Sequence, residues 1–124
     1  MELQQQTLTA TALDTQAPTP VTLITLVGDI DGSTAPGVQA DVLAAAAPDI
    51  KIILEMTQVP YMSSAGLRVL LAVYRQMTAQ NGQVVLVGLV EEIKDTMSVT
   101  GFLDFFTTAD SLEEAFAVLK LQPS

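Results

Sequence analysis

Residues 51–90 read KIILEMTQVPYMSSAGLRVLLAVYRQMTAQNGQVVLVGLV and set the architecture of this chain. Lys51 to Met56 is a short apolar run that is typical of a strand. Ser64 to Gln80 follows with apolar residues at helical spacing. Val84 to Val90 is apolar throughout, as expected when both faces of a parallel strand are covered. A strand, a helix and a second strand in this order predict a right-handed crossover in a mostly parallel sheet.

The flanking sequence continues this alternation of strands and helices. A helix is predicted from the capping segment Ser33-Thr34-Ala35-Pro36 to near Ala47, because the residue before Pro48 avoids helical geometry. Ser111 and Glu114 have the spacing of a capping box, which predicts a last helix. The remaining predicted elements are a strand at Val21 to Val27, a helix at Glu91 to Val99 and a short strand at Phe105 to Thr108.

The N-terminal region has the alternating pattern of a half-exposed strand. Leu8, Ala10 and Ala12 alternate with threonine residues, which favour extended backbone. A short turn that contains Pro18 and Pro20 follows, so this strand is expected to lie antiparallel at an edge of the sheet.

The whole chain is predicted to form one α/β domain over residues 1–124. We expect a mostly parallel central sheet, an antiparallel N-terminal edge strand and about four helices. Residues 1–6 are expected to be either a disordered tail or the start of that edge strand, and residues 121–124 to be a C-terminal tail.

The composition excludes several classes of function. The chain has 14 acidic and 5 basic residues, a net charge of −9 and a pI near 4.1. This negative field would repel nucleic acid and anionic membranes. The chain has no histidine and no cysteine, which removes zinc fingers, Ser-His-Asp and Cys-His catalysis and thiol redox chemistry. We expect no cofactor and no metal centre.

The apolar residues indicate a soluble domain. They make up 49% of the chain, enough for one core. Their longest uninterrupted run, Val84 to Val90, is far shorter than the roughly 18 residues that a membrane helix needs. The segment Met1-Glu2-Leu3-Gln4 lacks the basic start of a secretory signal. The sequence therefore predicts a cytoplasmic protein without a membrane-spanning segment.

Two acidic residues follow the first predicted central strand. Asp29 and Asp31 lie between Gly28 and Gly32, at the carboxyl end of a strand, where open α/β sheets gather their ligands. The pair is consistent either with a divalent cation or with a solvated turn whose carboxylates favour the following helix N-terminus. An EF-hand loop is excluded, because a third ligand and the glutamate at the twelfth place are missing.

The same segment resembles the nucleophile motif of haloacid dehalogenase phosphatases, in which an aspartate follows an apolar strand. That class also needs a lysine between a Thr or Ser motif and a late acidic motif. Thr57 and Glu91-Glu92 have the residue types of the outer two motifs, but no lysine lies between them. A magnesium-dependent phosphatase is therefore the least favoured of the functions considered.

Two serines, Ser63 and Ser64, open the central helix. A serine at this place can accept a backbone N–H as an N-cap. The chain has no histidine that could act as a base for such a serine, which excludes hydrolysis by a nucleophilic serine. A serine at an exposed helix N-terminus can also carry phosphate, because the free N–H groups and the helix dipole stabilise the anion.

The segment Met62 to Leu70, MSSAGLRVL, resembles the signature of the STAS domain, specifically that of bacterial anti-sigma factor antagonists. Gly28-Asp29-Ile30-Asp31 resembles the family's segment before its first helix. The run from Thr100 to Ala115 resembles its C-terminal third. Together the resemblance covers Val21 to Leu119.

The resemblance implies roles for individual residues. The family's regulatory serine falls on Ser64, and its aspartate before the first helix falls on Asp31. Family members often carry aspartate immediately before the phosphorylated serine, where this chain has Ser63, so Ser63 is an alternative acceptor. The expected partner-binding residues are Asp29, Asp31, Ser63, Ser64, Gly66 and Arg68.

The resemblance also implies a non-enzymatic switch. The unphosphorylated form would bind an anti-sigma factor that is also a serine kinase, and so free the sigma factor. Phosphorylation by that kinase would end the complex, and a PP2C-type phosphatase would restore it. The alternative is a STAS scaffold or sensor subunit that is not regulated by phosphorylation. The chain is expected to be a monomer or a weak homodimer.

A last feature is the aromatic patch formed by Phe102, Leu103, Phe105 and Phe106. Core packing against the last helix is the favoured interpretation. The other interpretation is a partly exposed patch at a partner or dimer interface.

Overall fold

The structure is a computed structural model that describes residues 1–123. Its strands are β1 (Glu2–Ala12), β2 (Pro18–Val27), β3 (Lys51–Gln58), β4 (Gln83–Val87), β5 (Thr107–Ala109) and β6 (Leu121–Pro123). Its helices are α1 (Ala35–Ala44), α2 (Ser64–Ala79), α3 (Glu91–Val99) and α4 (Leu112–Val118), with a 3₁₀ turn at Phe102–Phe105. The strands form one sheet in the order β5-β4-β3-β2-β1-β6.

The central strands are parallel and the N-terminal pair is antiparallel, which confirms the predicted sheet. Leu54 in β3 pairs with Ile24 of β2 on one side and with Leu86 of β4 on the other, in parallel register. β1 runs antiparallel to β2, with Leu8 opposite Val21. The helical crossovers therefore bring the carboxyl ends of β2 and β3 to the same edge of the sheet.

The structure decides between the two expectations for residues 1–6 and differs from the expectation for the C-terminus. Glu2 to Gln6 belong to β1 and not to a disordered tail. Residues 121–123, expected in a tail, form β6, which pairs antiparallel with the end of β1 at Ala10 to Ala12. Ser124, the last residue of that expected tail, lies outside the described residues. β1 is thus the edge of the sheet only over the residues before Ala10.

The two faces of the sheet are covered unequally. α1, α2 and α3 cover one face, where they pack on Ile24, Ile52 and Leu54. α4 covers the other face, against Ile53 and Val85. Successive side chains of a strand point to opposite faces, so the apolar run of β3 supplies both layers. This explains why the central strands are apolar without alternation.

The two helices after β3 and β4 agree with their predicted positions. α2 begins at Ser64, and its stop is made by Asn81, with a φ of 59°, and by Gly82. A Cβ on Gly82 would lie 2.8 Å from the Ile50 carbonyl oxygen, so glycine is required there. α3 spans the predicted residues. No helix within residues 1–123 is long and apolar enough to span a membrane.

Two predicted strand bounds are wrong. The strand predicted at Val84 to Val90 ends at Val87, because Gly88 has a φ of 73°, outside the range of extended strands. The strand predicted at Phe105 to Thr108 begins two residues later, as β5. The chain turns left-handed at Gly101, with a φ of 80°, and enters the 3₁₀ turn before it reaches the sheet.

The aromatic patch divides between the core and the surface. Phe102, Leu103 and Phe106 pack partly buried against the layer of α1, α2 and α3, and not against the last helix as expected. Phe105 is 49% exposed. The Tyr74 ring of α2 lies 5.6 Å from the ring of Phe105 and 5.6 Å from that of Phe106, measured between centroids. These ring contacts therefore pack the 3₁₀ turn against α2.

The anchor of α4 on its face of the sheet is Phe116, which is 4% exposed. We expect Phe116→Ala to lower the free energy of unfolding by about 3 to 5 kcal/mol, because the lost ring leaves a cavity beneath the helix. Urea unfolding followed by circular dichroism measures this. Val118→Ala is the matched control on the same helix, since Val118 is 40% exposed, and it should change stability by less than about 0.5 kcal/mol. Equal losses in the two variants would contradict this packing.

Candidate functional site

Two loops meet at the carboxyl edge of the sheet, one after β2 and one after β3. The Ile30 N–H donates to the Tyr61 carbonyl at 3.0 Å, and the Ser63 N–H donates to the Ile30 carbonyl at 2.8 Å. Ile30 and Met62 thus form a parallel bridge beyond the ends of their strands. This bridge brings the segment of Asp29 and Asp31 next to the segment that opens α2.

Gly66 lets the first turn of α2 approach this bridge. A Cβ at this position would lie 3.0 Å from the Ile30 carbonyl oxygen and 3.0 Å from the Ile30 Cγ2, and it would overlap the Met62 side chain. Real Cβ atoms rarely come this close to a backbone oxygen, so a larger residue would push the helix away from the loop. The structure gives Gly66 a packing role in the site.

The two serines at the start of α2 occupy different environments. Ser63 is the N-cap residue by backbone geometry, but its side chain makes no capping bond. Its Oγ is buried and has no hydrogen-bond partner within residues 1–123. Ser64 is the first helical residue and is exposed. Its hydroxyl makes no hydrogen bond within the part of the chain that the structure describes.

Asp31 organises the turn before α1. Its Oδ1 accepts hydrogen bonds from the Ser33 N–H at 2.9 Å, the Ser33 hydroxyl at 2.7 Å and the Thr34 N–H at 3.1 Å. Its backbone carbonyl accepts the Ala35 N–H at 2.8 Å. The Thr34 and Ala35 N–H groups are free donors at the helix start, so Asp31 acts as the cap of α1 although the backbone assigns the N-cap position to Thr34.

Thr34 completes this turn; it was predicted only as part of the capping segment of α1 and not as a partner of Asp31. Its hydroxyl accepts the Asp31 N–H at 2.9 Å and donates to the Asp29 carbonyl oxygen at 2.9 Å. The two residues therefore cap each other in the manner of a capping box. The D-x-x-T spacing of Asp31 and Thr34 was the available sequence signal.

The hydrogen bonds also set the protonation of Asp31. The Ser33 hydroxyl, followed by the Ser33 and Thr34 N–H groups, holds the pKa of the Asp31 carboxyl below its ordinary value of 3.8. These donors favour the charged form. Asp31 thus presents a permanent negative charge at the carboxyl edge of the sheet at neutral pH.

The hydrogen bonds around Asp29 and Asp31 favour a solvated turn over a site for a divalent cation. The Asp29 side chain is exposed and makes no hydrogen bond to any described residue. The Oδ1 of Asp31 is occupied by the donors of its own turn. Within residues 1–123, no three acidic side chains come together in a group that could hold a metal ion. Lys51 is not near this acidic pair, because it lies at the opposite end of the sheet, where its Nζ donates to Gln83 Oε1 at 2.8 Å.

A groove between α1 and α2 opens beside the two loops. It has a volume of about 540 Å³. We call it the α1–α2 groove, and its lining residues are Gly32, Ala35, Pro36, Gln39, Ala40, Leu43, Ala65, Arg68 and Val69. Gly32 and Ala65 adjoin Asp31 and Ser64, so the groove is continuous with the site. Arg68 is exposed, is the one charged residue of the lining and has no acidic partner within residues 1–123.

Comparison with known proteins identifies relatives over most of the chain. The model of the STAS domain matches residues 12–115. BtrV of Bordetella bronchiseptica, named as an anti-sigma factor antagonist, is 37% identical over 70 residues. That alignment covers 56% of this chain and 60% of the relative, so the match spans less than two thirds of the relative's length.

Solved structures show the same fold. An anti-sigma factor antagonist from Mycobacterium paratuberculosis superposes with a TM-score of 0.70 and 22% identity, over 94% of this chain and 95% of that one. The antagonist SpoIIAA in its unphosphorylated form gives a TM-score of 0.68 and 18% identity, over 95% and 96%. The phosphorylated form of SpoIIAA, from Bacillus, gives a TM-score of 0.60 and 21% identity, over 80% and 90%.

The buried Ser63 hydroxyl gives the first prediction for this site. Ser63→Ala should leave the free energy of unfolding unchanged or raise it by up to about 1 kcal/mol, because it removes an unpaired buried polar group. Urea unfolding measures the change. Ser111→Ala is the control: the Ser111 hydroxyl accepts the Glu114 N–H at 3.1 Å, and its loss should cost about 1 kcal/mol. A similar loss at both positions would mean that Ser63 caps α2 in solution.

The lowered pKa of Asp31 gives a prediction about pH. A carboxyl whose pKa is lower in the folded than in the unfolded state stabilises the protein above the unfolded value and loses that effect as pH falls through the folded value. We expect Asp31→Asn to lower the thermal midpoint at pH 7, and the difference from wild type to shrink as pH falls below about 4. Asp29→Asn is the control and should change the thermal midpoint at pH 7 little, because the exposed Asp29 side chain makes no hydrogen bond to any described residue. A constant difference for Asp31→Asn would contradict the assigned hydrogen bonds.

Proposed function

We propose that this chain, which belongs to the STAS domain family, is an anti-sigma factor antagonist and acts as a phosphorylation-controlled switch. In this proposal the unphosphorylated form binds an anti-sigma factor that is also a serine kinase, and this frees the sigma factor. Phosphorylation of Ser64 ends that complex, and a PP2C-type phosphatase returns the chain to its binding form. The proposed compartment is the cytoplasm, and the chain itself acts as a regulator and not as an enzyme.

The contrast between the two serines carries the proposal. A kinase must bring the γ-phosphate of ATP within bonding distance of the acceptor oxygen. The Ser64 hydroxyl is exposed and unbonded, whereas the Ser63 Oγ is buried beneath the start of α2. This favours Ser64 over Ser63 as the acceptor. In the reaction the Ser64 oxygen would bond to the γ-phosphorus, ADP would leave, and the hydroxyl proton would pass to a base of the kinase.

Phosphate at this position is compatible with the folded domain. Ser64 is the first residue of α2, where backbone N–H groups have no intrahelical partner and the helix dipole favours an anion. The modification adds about −1.5 to −2 charges. The Ile30 bridge brings the loop of Asp31 next to the start of α2, so these charges would lie near Asp31, on a chain whose net charge is already −9. Like-charge repulsion at the surface that meets the partner would then lower affinity without unfolding the domain.

Asp29 and Asp31 are proposed as further partner contacts. Asp31 is held in place by its turn and stays ionised at neutral pH, and the exposed Asp29 carboxylate makes no bond to any described residue. The fixed Asp31 carboxylate and the exposed Asp29 carboxylate, in the loop next to the start of α2, would offer a partner a charge pattern that phosphate on Ser64 would change. The alternative, a STAS scaffold that is not phosphorylated, remains an outcome of the experiment below.

Two substitutions at Ser64 test the switch. Ser64→Ala should abolish phosphate incorporation and leave affinity for the anti-sigma factor near that of the unphosphorylated chain. Ser64→Asp should remain folded, since it adds an anion at a helix N-terminus, and should bind at least about tenfold more weakly, equivalent to about 1.4 kcal/mol. The measurements are incubation with purified anti-sigma factor kinases and ATP, mass spectrometry of the modified residue, and titration calorimetry of both variants.

The Ser63 position supplies the control. Ser63→Ala should incorporate phosphate like wild type, because its hydroxyl is not the acceptor. Equal affinities of Ser64→Ala and Ser64→Asp, with no phosphate at Ser64 in wild type, would favour the unphosphorylated scaffold. Loss of phosphate in Ser63→Ala alone would move the acceptor to Ser63.

A further inference from the structure

Arg68 is one of only two charged residues in α2, the other being Arg75, and both are exposed. Neither arginine has an acidic partner within residues 1–123, and of the two only Arg68 lines the α1–α2 groove. Asp41, the one acidic residue of α1, is not part of the lining of the α1–α2 groove. The groove therefore presents an apolar floor with one unpaired positive charge at its side.

Helix geometry also relates Arg68 to Ser64. The two residues are four positions apart in α2, so their side chains lie on the same face, with Cβ atoms about 6 Å apart. Side chains in a helix lean toward its N-terminus, which directs the long Arg68 side chain toward Ser64. An anion at the earlier position and a cation at the later one is also the more favourable order for a helical ion pair.

We propose that the ion-pair partner of Arg68 changes with the phosphorylation of Ser64, an inference that rests on the function proposed above. When Ser64 is unmodified, the free guanidinium binds a carboxylate of the anti-sigma factor, beside an apolar side chain of that partner lying in the α1–α2 groove. When Ser64 is phosphorylated, its phosphate pairs with Arg68 within α2. The partner carboxylate then meets a neutralised cation and a new negative charge.

This exchange gives the phosphate a specific target. Repulsion between the phosphate and distant carboxylates is weakened by salt over about 8 Å at physiological ionic strength. Removing a direct guanidinium contact from an interface is less sensitive to salt, because both charges are partly desolvated there. One modification therefore acts twice at the groove, by removing an attraction and by adding a repulsion.

The intramolecular half of the proposal is tested without a partner. Phosphoserine is incorporated at position 64 during translation, and the second pKa of the phosphate is measured by ³¹P NMR. Pairing with Arg68 should make this pKa lower in wild type than in Arg68→Ala. Arg75→Ala, which removes the same charge from the same helix seven residues further on, should leave the pKa at its wild-type value. An unchanged pKa in Arg68→Ala would overturn the proposal.

The intermolecular half is tested by titration calorimetry with the anti-sigma factor kinase that phosphorylates the chain. Arg68→Ala should weaken binding by about tenfold, and Arg75→Ala by less than about twofold. Ala40→Gln, which narrows the groove from α1, should also weaken binding by about tenfold. Ala79→Gln at the end of α2 is its control. Arg68→Ala and Arg75→Ala with equal affinities would overturn the proposal.

A double-mutant cycle links the two halves. The loss of affinity caused by Ser64→Asp should be about tenfold smaller on the Arg68→Ala background than in wild type, because Arg68 is no longer present to be captured. Equal losses on both backgrounds would remove Arg68 from the switch and leave the proposed function intact. If instead neither wild type nor Ser64→Ala binds any anti-sigma factor, the proposed function fails and the partner contact of Arg68 fails with it.

Discussion

The backbone bridge between Ile30 and the loop after β3 is the constraint on which the rest of the site depends. Two hydrogen bonds, from Ile30 to Tyr61 and from Ser63 to Ile30, continue the parallel pairing of β2 and β3 past the ends of these strands. The bridge fixes where α2 begins. It also requires glycine at position 66, since a side chain there would meet the Ile30 carbonyl oxygen. The hydrogen-bond network of Asp31 begins one residue after the bridge, so the bridge also sets the position of that network.

The sequence predicted the central architecture because its signals there are local and repeated. The apolar runs of β3 and β4 and the helical spacing of α2 each identify an element without knowledge of the rest of the chain. The ends of elements were less predictable. β4 stops at Val87 because the backbone turns left-handed at Gly88. β6 exists only because Leu121–Pro123 meet the end of β1, a contact between residues more than a hundred positions apart that no local pattern encodes.

The candidate site was predictable in its composition but not in its geometry. The motif around Ser63 and Ser64 identified the two serines, yet cap assignment by sequence is uncertain by about one residue. Which hydroxyl is buried depends on a side-chain rotamer and on the covering loop. Asp31 was expected mainly as a partner contact, whereas its three hydrogen-bond donors, from Ser33 and Thr34, make it a structural cap. If the proposed partner contact holds as well, substitution of Asp31 will change stability and recognition together, so the pH dependence of stability is needed to separate the two effects.

The absence of a side-chain cap on α2 has a consequence for the switch. Ser63 leaves the first N–H groups of the helix without a side-chain acceptor, whereas Ser111 provides one for α4. Within residues 1–123, the first N–H groups of α2 have no side-chain acceptor and Arg68 has no acidic partner. Phosphate on Ser64 would then accept hydrogen bonds from these N–H groups and from Arg68, and the modification would stabilise α2. Under this mechanism the domain stays folded, and partner binding is lost through the capture of Arg68 and the added negative charge and not through disorder of α2.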